Sequence, residues 1–100
     1  MKLVFSQFVE NDLDVIAASI AEDNPSRAVS FIQEIQVKVQ SIAVNPLLYQ
    51  LRPDIGDQAR MVTVGRYAIL FHIIGEVVRI ERIVYGGRDL PSLLDQNGVN

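Results

Sequence analysis

The chain has 100 residues, of which 49% are apolar, with no cysteine and a formal net charge of −3. This length fits one domain. The lack of cysteine excludes disulfides, thiolate metal sites and a cysteine nucleophile. The acidic balance argues against general electrostatic binding to nucleic acid, which needs a basic surface. No stretch approaches the ~18–20 apolar residues of a membrane span. We therefore expect a soluble, cytoplasmic domain over residues 1–94, with a frayed tail at 95–100.

The first half of the chain predicts a strand and two helices. Lys2–Phe5 has the composition of a short strand. Apolar residues then recur at helical spacing over residues 9–20, where Asp12 and other acidic residues near the start complement the helix dipole. Asn24 and Pro25 suit the N-cap and first position of a second helix, which runs to about Val44. Two helices joined by so short a loop must pack antiparallel, as a helical hairpin.

The second half predicts three strands, at about Ala59–Val64, Tyr67–Ile74 and Val77–Tyr85. Their linkers, Gly65-Arg66 and Gly75-Glu76, are Gly-X pairs that suit two-residue type II′ turns. These strands should therefore form an antiparallel meander. The predicted fold class is α+β: a short N-terminal strand, a helical hairpin, then the meander, with the helices packed on one face of the sheet.

Two-residue turns fix the strand register, and the register assigns side chains to the two faces. Val62 should pair with Ile69, and Ile69 with Arg82. The face under the helices then carries Val62, Val64, Tyr67, Ile69, Phe71, Ile73, Val78, Ile80 and Val84. The opposite face carries Met61, Thr63, Ala68, Leu70, His72, Ile74, Val77, Arg79, Glu81 and Ile83. Arg60 and Arg82 fall on the helix-packed face, either at its rim or turned outward by a bulge.

The opposite face is too apolar for a fully solvated surface and too polar for a core. An apolar patch rimmed by charge on a small domain is typical of a partner surface. The candidate partner-binding residues on this face are Met61, Leu70, His72, Ile74, Val77 and Arg79.

Few residues suggest catalysis with a metal, a cofactor or a small-molecule substrate. His72 is the only histidine, and without an evident carboxylate partner a hydrogen-bonded strand histidine is favoured over a catalytic or metal-binding one. Gly86-Gly87 is followed by Arg88-Asp89 and not by a phosphate-binding helix start. We therefore predict no metal and no cofactor.

One group of side chains could act on RNA. Arg60, Arg82, Tyr85 and Arg88 could cluster near the end of the sheet, where arginines and a tyrosine can stabilise and protonate a phosphodiester. In the alternative interpretation, which is favoured on these residues alone, Tyr85 packs at the end of its strand and Arg88 pairs locally with Asp89.

Three segments, at Asp12–Pro25, Val64–His72 and Arg79–Leu90, carry a resemblance to a known family. They resemble the first helix and inter-helix turn, the central hairpin, and the closing strand with its Gly-x-Arg-Asp ending in ParE-type toxins. Together they span about residues 2–94 in the family's order. The chain thus resembles the toxin of a ParD–ParE type II toxin–antitoxin pair, within the RelE/ParE superfamily.

The resemblance implies a RelE/ParE-like fold and a toxin that inhibits DNA gyrase by binding, in a system of the plasmid-stabilization kind. It also implies a cognate ParD-like antitoxin, for which the partner-binding residues above are the candidate site. The candidate target-binding residues lie mostly near the end of the chain: Arg60, Arg82, Tyr85, Arg88, Asp89 and Leu90.

Two alternatives stay open. The RelE branch of the superfamily cuts messenger RNA on the ribosome, and by that likeness Arg60, Arg82 and Arg88 would hold phosphate while Tyr85 serves as acid or base. The chain has two lysines, both before the predicted meander, and this acidic balance favours the ParE branch. A third possibility is an inactive family member that only binds its antitoxin.

Overall fold

The computed structural model describes residues 1–87 and Leu90. The elements in chain order are β1 (Lys2–Phe5), α1 (Val9–Ala21), α2 (Pro25–Val44), a short 3-10 helix (Pro46–Leu48), β2 (Arg60–Val64), β3 (Tyr67–Ile74) and β4 (Val77–Tyr85). They form one four-stranded sheet in the order β1-β4-β3-β2, with β1 parallel to β4 and the other pairs antiparallel. The predicted α+β fold is confirmed. The predicted frayed tail, residues 95–100, lies outside the described residues.

Local sequence features explain where the second helix of the hairpin, α2, begins and ends. The Asn24 side chain accepts a hydrogen bond from the Arg27 backbone N–H at 3.0 Å, and Pro25 occupies the first position of α2. This cap satisfies one of the amide groups left open at a helix N-terminus. At the other end α2 stops at Val44, before Pro46, whose ring restricts the preceding residue.

The main core lies between the helical hairpin and one face of the sheet, here called the helix face. Its buried members are Val9, Ile16, Phe31, Ile35, Val39, Ile42, Ile69, Phe71, Val78, Ile80 and Ile83. Burying each such apolar side chain contributes roughly 1.5–3 kcal/mol, so this layer is a large part of the driving force for folding. The sequence prediction that the helices cover this face is confirmed by the packing.

The strand register follows the predicted turns but contains one bulge. Positive φ at Gly65 (58°) and Gly75 (60°), with none at the residue after each, confirms the type II′ turns. The predicted pairing of Ile69 with Arg82 is wrong. Ile69 pairs with Ile83, because the register shifts between Leu70 and Phe71.

The bulge gives β4 one extra residue, Glu81, which has no partner in the register. An inserted residue reverses the alternation of every side chain beyond it. Ile83 therefore packs in the main core, and Val84 packs on the opposite side. The predicted faces of these two residues are thus reversed. The same shift pairs Arg82 with Leu70, away from the helix face on which the regular register placed it.

The sheet face opposite the helices, here called the open face, is partly covered by the chain itself. A second apolar cluster joins Ala68, Leu70 and Val84 of the sheet to Ile55, Ala59 and Leu90. Leu70 and Ala68 are consequently fully buried. Within the described ranges, neither helix combines the length and the apolarity that a membrane crossing requires.

Candidate functional site

Arg82, a candidate target-binding residue, is held by a carboxylate from α1. Its Nε donates to Asp12 Oδ2 and its Nη2 donates to Asp12 Oδ1, each at 2.8 Å, which makes a bidentate pair. Asp12 Oδ2 also accepts a hydrogen bond from the Ile83 backbone N–H at 3.0 Å. The Arg82 guanidinium lies 5.2 Å from the centre of the Phe8 ring. Asp12 therefore joins the first turn of α1 to the far end of β4.

This link exists because β1 is shorter than β4. The parallel pairing of β1 with β4 ends where Phe5 meets Ile80. Ser6 continues the contact, since its N–H donates to the Ile80 carbonyl at 2.9 Å and its hydroxyl donates to the Glu81 carbonyl at 2.5 Å. Beyond that point no strand of the described residues lies beside the edge of β4, and Asp12 supplies the acceptor that the Ile83 N–H needs.

Burial makes the Asp12–Arg82 pair a structural contact. The two side chains are only 5% and 13% exposed. The hydrogen bonds that Arg82 donates to Asp12 outweigh the effect of burial and raise the pKa of the Arg82 guanidinium, so the group stays charged. Removing one partner of such a pair leaves an uncompensated charge, which costs several kcal/mol.

Arg60, the second candidate arginine, also bonds within the chain. Its Nη1 donates to the Tyr49 backbone carbonyl. In the register Arg60 lies opposite Phe71, which packs on the helix face, whereas Arg82 lies opposite Leu70, which packs on the open face. The two arginines therefore lie opposite residues of different faces, and the Arg82 side chain turns to Asp12 of α1.

Tyr85 lies at the other end of the sheet from Arg60. Its partner in the register is Tyr67, four residues along β3 from the partner of Arg60, which is about 13 Å at the rise of a strand. The Tyr85 ring meets the Tyr67 ring edge to face, with centroids 6.2 Å apart. A Cβ at Gly87 would lie 2.4 Å from Tyr85 Cε2, so the ring depends on glycine there. Tyr85 remains 50% exposed and is accessible to a partner.

Of the three remaining candidate residues near the end of the chain, the structure describes one. Arg88 and Asp89 lie outside the described residues, and Leu90 is buried in the second apolar cluster. Among the described residues, the structure does not bring Arg60, Arg82 and Tyr85 together into one constellation.

A polar cluster on β3 and β4 involves three residues of the open face. His72 Nδ1 and Glu81 Oε2 are 3.2 Å apart, and Arg79 Nε donates to both Glu81 oxygens at 3.0 and 3.1 Å. Burial alone would raise the pKa of the Glu81 carboxyl. Hydrogen bonds from His72 and Arg79 outweigh it and hold that pKa below its ordinary value. The carboxylate is therefore ionised at neutral pH, which makes the His72 nitrogen the donor.

The predicted partner-binding residues divide into an inner and an outer group. Leu70 and His72 are buried, and half-buried Met61 packs against the second cluster. Ile74 is 57% exposed, Val77 is half-buried, and the Arg79 side chain is 41% exposed. The accessible group therefore lies beside the turn between β3 and β4.

The accessible surface also includes a groove beside the helices. A groove of about 420 Å³ opens between the end of β1 and the two helices, where Phe5, Leu13, Gln36 and Gln40 contribute to its lining. In the part of the chain that the structure describes, no three His, Asp or Glu side chains are grouped to hold a metal ion.

Two residues with clear structural roles are missed by the sequence reasoning. Asp12 is interpreted there only as a helix-dipole residue, and nothing local to it signals a partner 70 residues away. Glu81, the carboxylate partner of His72, does carry a signal. It stands two residues after Arg79 on one strand face, and Arg79 pairs with His72 in the predicted register.

Comparison with known proteins covers most of the chain. The family model described as the ParE toxin of the type II toxin–antitoxin system parDE matches residues 3–90. A solved structure titled as a chromosomal ParDE toxin–antitoxin system from P. aeruginosa matches with a TM-score of 0.74 and 23% identity. The match covers 85% of this chain and 95% of that chain. No curated protein matches. The fold and the family match together show that this chain belongs to the ParE family of type II toxins.

Proposed function

We propose that this chain inhibits DNA gyrase by binding it, without turnover of its own, and that a ParD-like antitoxin neutralises it. The observation that carries the choice of a binder over a nuclease is the engagement of Arg60 and Arg82 inside the chain. A nuclease needs such guanidinium groups on the phosphodiester. A binding inhibitor needs only an accessible surface.

The accessible surface that fits a target is the Tyr85 end of the sheet. Tyr85 is half-exposed and is braced by Tyr67, so little side-chain freedom is lost when a partner covers it. Braced aromatic side chains of this kind often supply much of an interface's binding energy. Arg66, in the turn that accepts a hydrogen bond from Gly86, is exposed beside it. Arg88 and Asp89 stay candidate target-binding residues by the family resemblance.

The groove between β1 and the helices supports the antitoxin part of the proposal. Apolar side chains of the main core, such as Ile35 and Val39, line its floor, whereas Gln36 and Gln40 bring amide groups to its lining. A groove of this composition suits a polypeptide segment that carries apolar anchor residues.

The proposal predicts that the toxin blocks replication before it affects translation. Expression from a repressible promoter should stop the incorporation of labelled thymidine within minutes, while the incorporation of labelled amino acid continues. Co-expression of the antitoxin encoded beside the toxin should restore both. Incorporation of amino acid that stops first would contradict gyrase as the target.

A ribosome-dependent endoribonuclease is the second candidate, favoured by the exposed position of Tyr85. The two candidates predict different results for Tyr85→Phe, which removes only the hydroxyl. A binder should retain toxicity within a few-fold, because the ring still packs on Tyr67. A nuclease that uses the hydroxyl as acid or base should lose about 10²–10⁴-fold in activity.

A further inference from the structure

The open face of the sheet has one end that no described residue covers. The second apolar cluster covers the end near Ala68 and Val84. The other end, beside the turn from β3 to β4, is here called the turn patch and comprises Lys2, Val4, Ile74, Val77 and Arg79. Lys2 and Ile74 are exposed, and the other three are partly exposed.

The turn patch contains an arginine, Arg79, whose side chain is held in one orientation by a buried carboxylate. Arg79 Nε donates to both oxygens of Glu81, and Glu81 is only 2% exposed. His72, which is buried, donates to the same carboxylate. The Arg79 guanidinium is thus anchored through one nitrogen, while its two terminal nitrogens bond to no described residue. Those two nitrogens form the edge that binds a carboxylate through two parallel hydrogen bonds.

Arg79 differs in this respect from the other described arginines. The terminal nitrogens of Arg27, Arg52, Arg60 and Arg82 donate to acceptors within the chain. Arg66 is exposed, but no buried carboxylate orients it. Arg79 therefore combines an accessible guanidinium edge with a buried support, and anchoring of this kind lowers the entropy lost on binding.

Charge and apolarity indicate what the patch would bind. Lys2 lies on the strand next to Arg79 and forms no ion pair with any described residue. Glu76, in the adjoining turn, is exposed, and its side chain hydrogen bonds to none of the patch residues. Val4, Ile74 and Val77 supply apolar surface beside the two cations. A segment with an apolar side chain beside an acidic one would match this arrangement.

We propose that the turn patch is a specificity site for the antitoxin, where Arg79 takes an acidic side chain of that partner through its two terminal nitrogens while Ile74 packs an adjacent apolar side chain. This inference rests on the proposed antitoxin partnership and adds the residue and the chemistry that select the cognate partner.

The test measures the dissociation constant for the antitoxin encoded beside the toxin. Arg79→Lys keeps the charge that Glu81 needs but removes the bidentate edge, so binding should weaken about tenfold. Ile74→Asp should weaken it at least as much. Arg27→Lys and Arg27→Glu, made at an exposed arginine of α2 whose carboxylate partner Glu34 is itself exposed, are matched controls and should stay within twofold.

A double-mutant cycle identifies the partner group. Each acidic residue of the antitoxin is replaced in turn by its amide, and one replacement should couple with Arg79→Lys by about fivefold or more. If the parent chain binds the antitoxin and both Arg79→Lys and Ile74→Asp bind it within twofold of the parent, the proposal for the turn patch is overturned. The proposed antitoxin partnership would still stand. No binding by the parent chain would overturn the partnership itself.

Discussion

Asp12 is a residue whose role changes between sequence and structure. On the sequence it is one of several acidic residues at the start of a helix. In the structure it is buried and holds both the Arg82 guanidinium and the Ile83 backbone N–H. It therefore fixes α1 against the part of β4 that β1 does not reach, and the fold depends on it more than on its neighbours.

We predict that Asp12→Ala lowers the free energy of unfolding by about 3–5 kcal/mol, because it removes the buried carboxylate to which the Arg82 guanidinium and the Ile83 N–H both donate. Asp14→Ala, two residues along the same helix at an exposed position, is the control and should change it by less than about 0.5 kcal/mol. Urea unfolding measures both. Equal effects would mean that the buried pair contributes nothing beyond the helix dipole.

Glu81 gives the fold a defined acid sensitivity. Its pKa is held below the ordinary value, so it contributes stability that is present above the unfolded pKa of about 4.5 and is lost as the pH falls through the folded pKa. Glu81→Gln should remove that contribution. The difference in unfolding free energy between parent and variant should shrink as the pH falls below about 4.5. A difference that does not change between pH 6 and pH 3 would contradict this role.

At the level of secondary structure, the local sequence determines where the helices, strands and turns lie. It does not determine which face of the sheet the side chains at the end of β4 occupy. Gly-X turns set the hairpins, and Asn24 with Pro25 starts α2 as predicted. The bulge at Glu81 leaves no clear trace in hydrophobic alternation, because Ile83 and Val84 are both aliphatic and either can face the core. Only the packing of Asp12 and Ser6 against that part of β4 shows why the extra residue is accommodated.

The N-cap of α2 gives a test of the local rules. Asn24→Ala should lower the free energy of unfolding by about 1 kcal/mol, because the Arg27 N–H loses the acceptor it has at 3.0 Å. Asn24→Asp retains an acceptor at that position and should lie within about 0.5 kcal/mol of the parent. Thermal unfolding of the three proteins measures the ranking. An alanine variant as stable as the aspartate variant would mean that the cap does not stabilise the helical hairpin.

At the scale of the whole molecule, the sequence predicts the fold far better than the site. The layers follow from hydrophobic periodicity, which each segment carries locally. The candidate site depends on contacts between distant segments. Asp12 accepts hydrogen bonds from Arg82, which is 70 residues away in the chain, and the Tyr49 carbonyl, in a loop, accepts one from Arg60. Partners of this kind cannot be read from composition, and they turn two candidate target-binding arginines into internal contacts.

The open face illustrates the same limit. Alternation along the strands correctly places Leu70, His72 and Arg79 on one side of the sheet. It does not reveal that residues 55 and 59, together with Leu90, cover part of that side. What remains accessible on that side is the turn patch at one end. Tyr85 lies at the other end of the sheet and pairs with Tyr67, which packs on the helix face. The proposed antitoxin contact at the turn patch is therefore separate from the proposed target contact.

The most direct test of the central claim is a supercoiling and cleavage assay with purified gyrase, run beside a cell-free translation reaction at the same toxin concentration. The account predicts that supercoiling is lost or cleaved DNA accumulates, that translation continues, and that prior addition of the antitoxin restores gyrase activity. Arrested translation with gyrase unaffected would contradict it and assign the toxin to the ribosome-dependent nucleases.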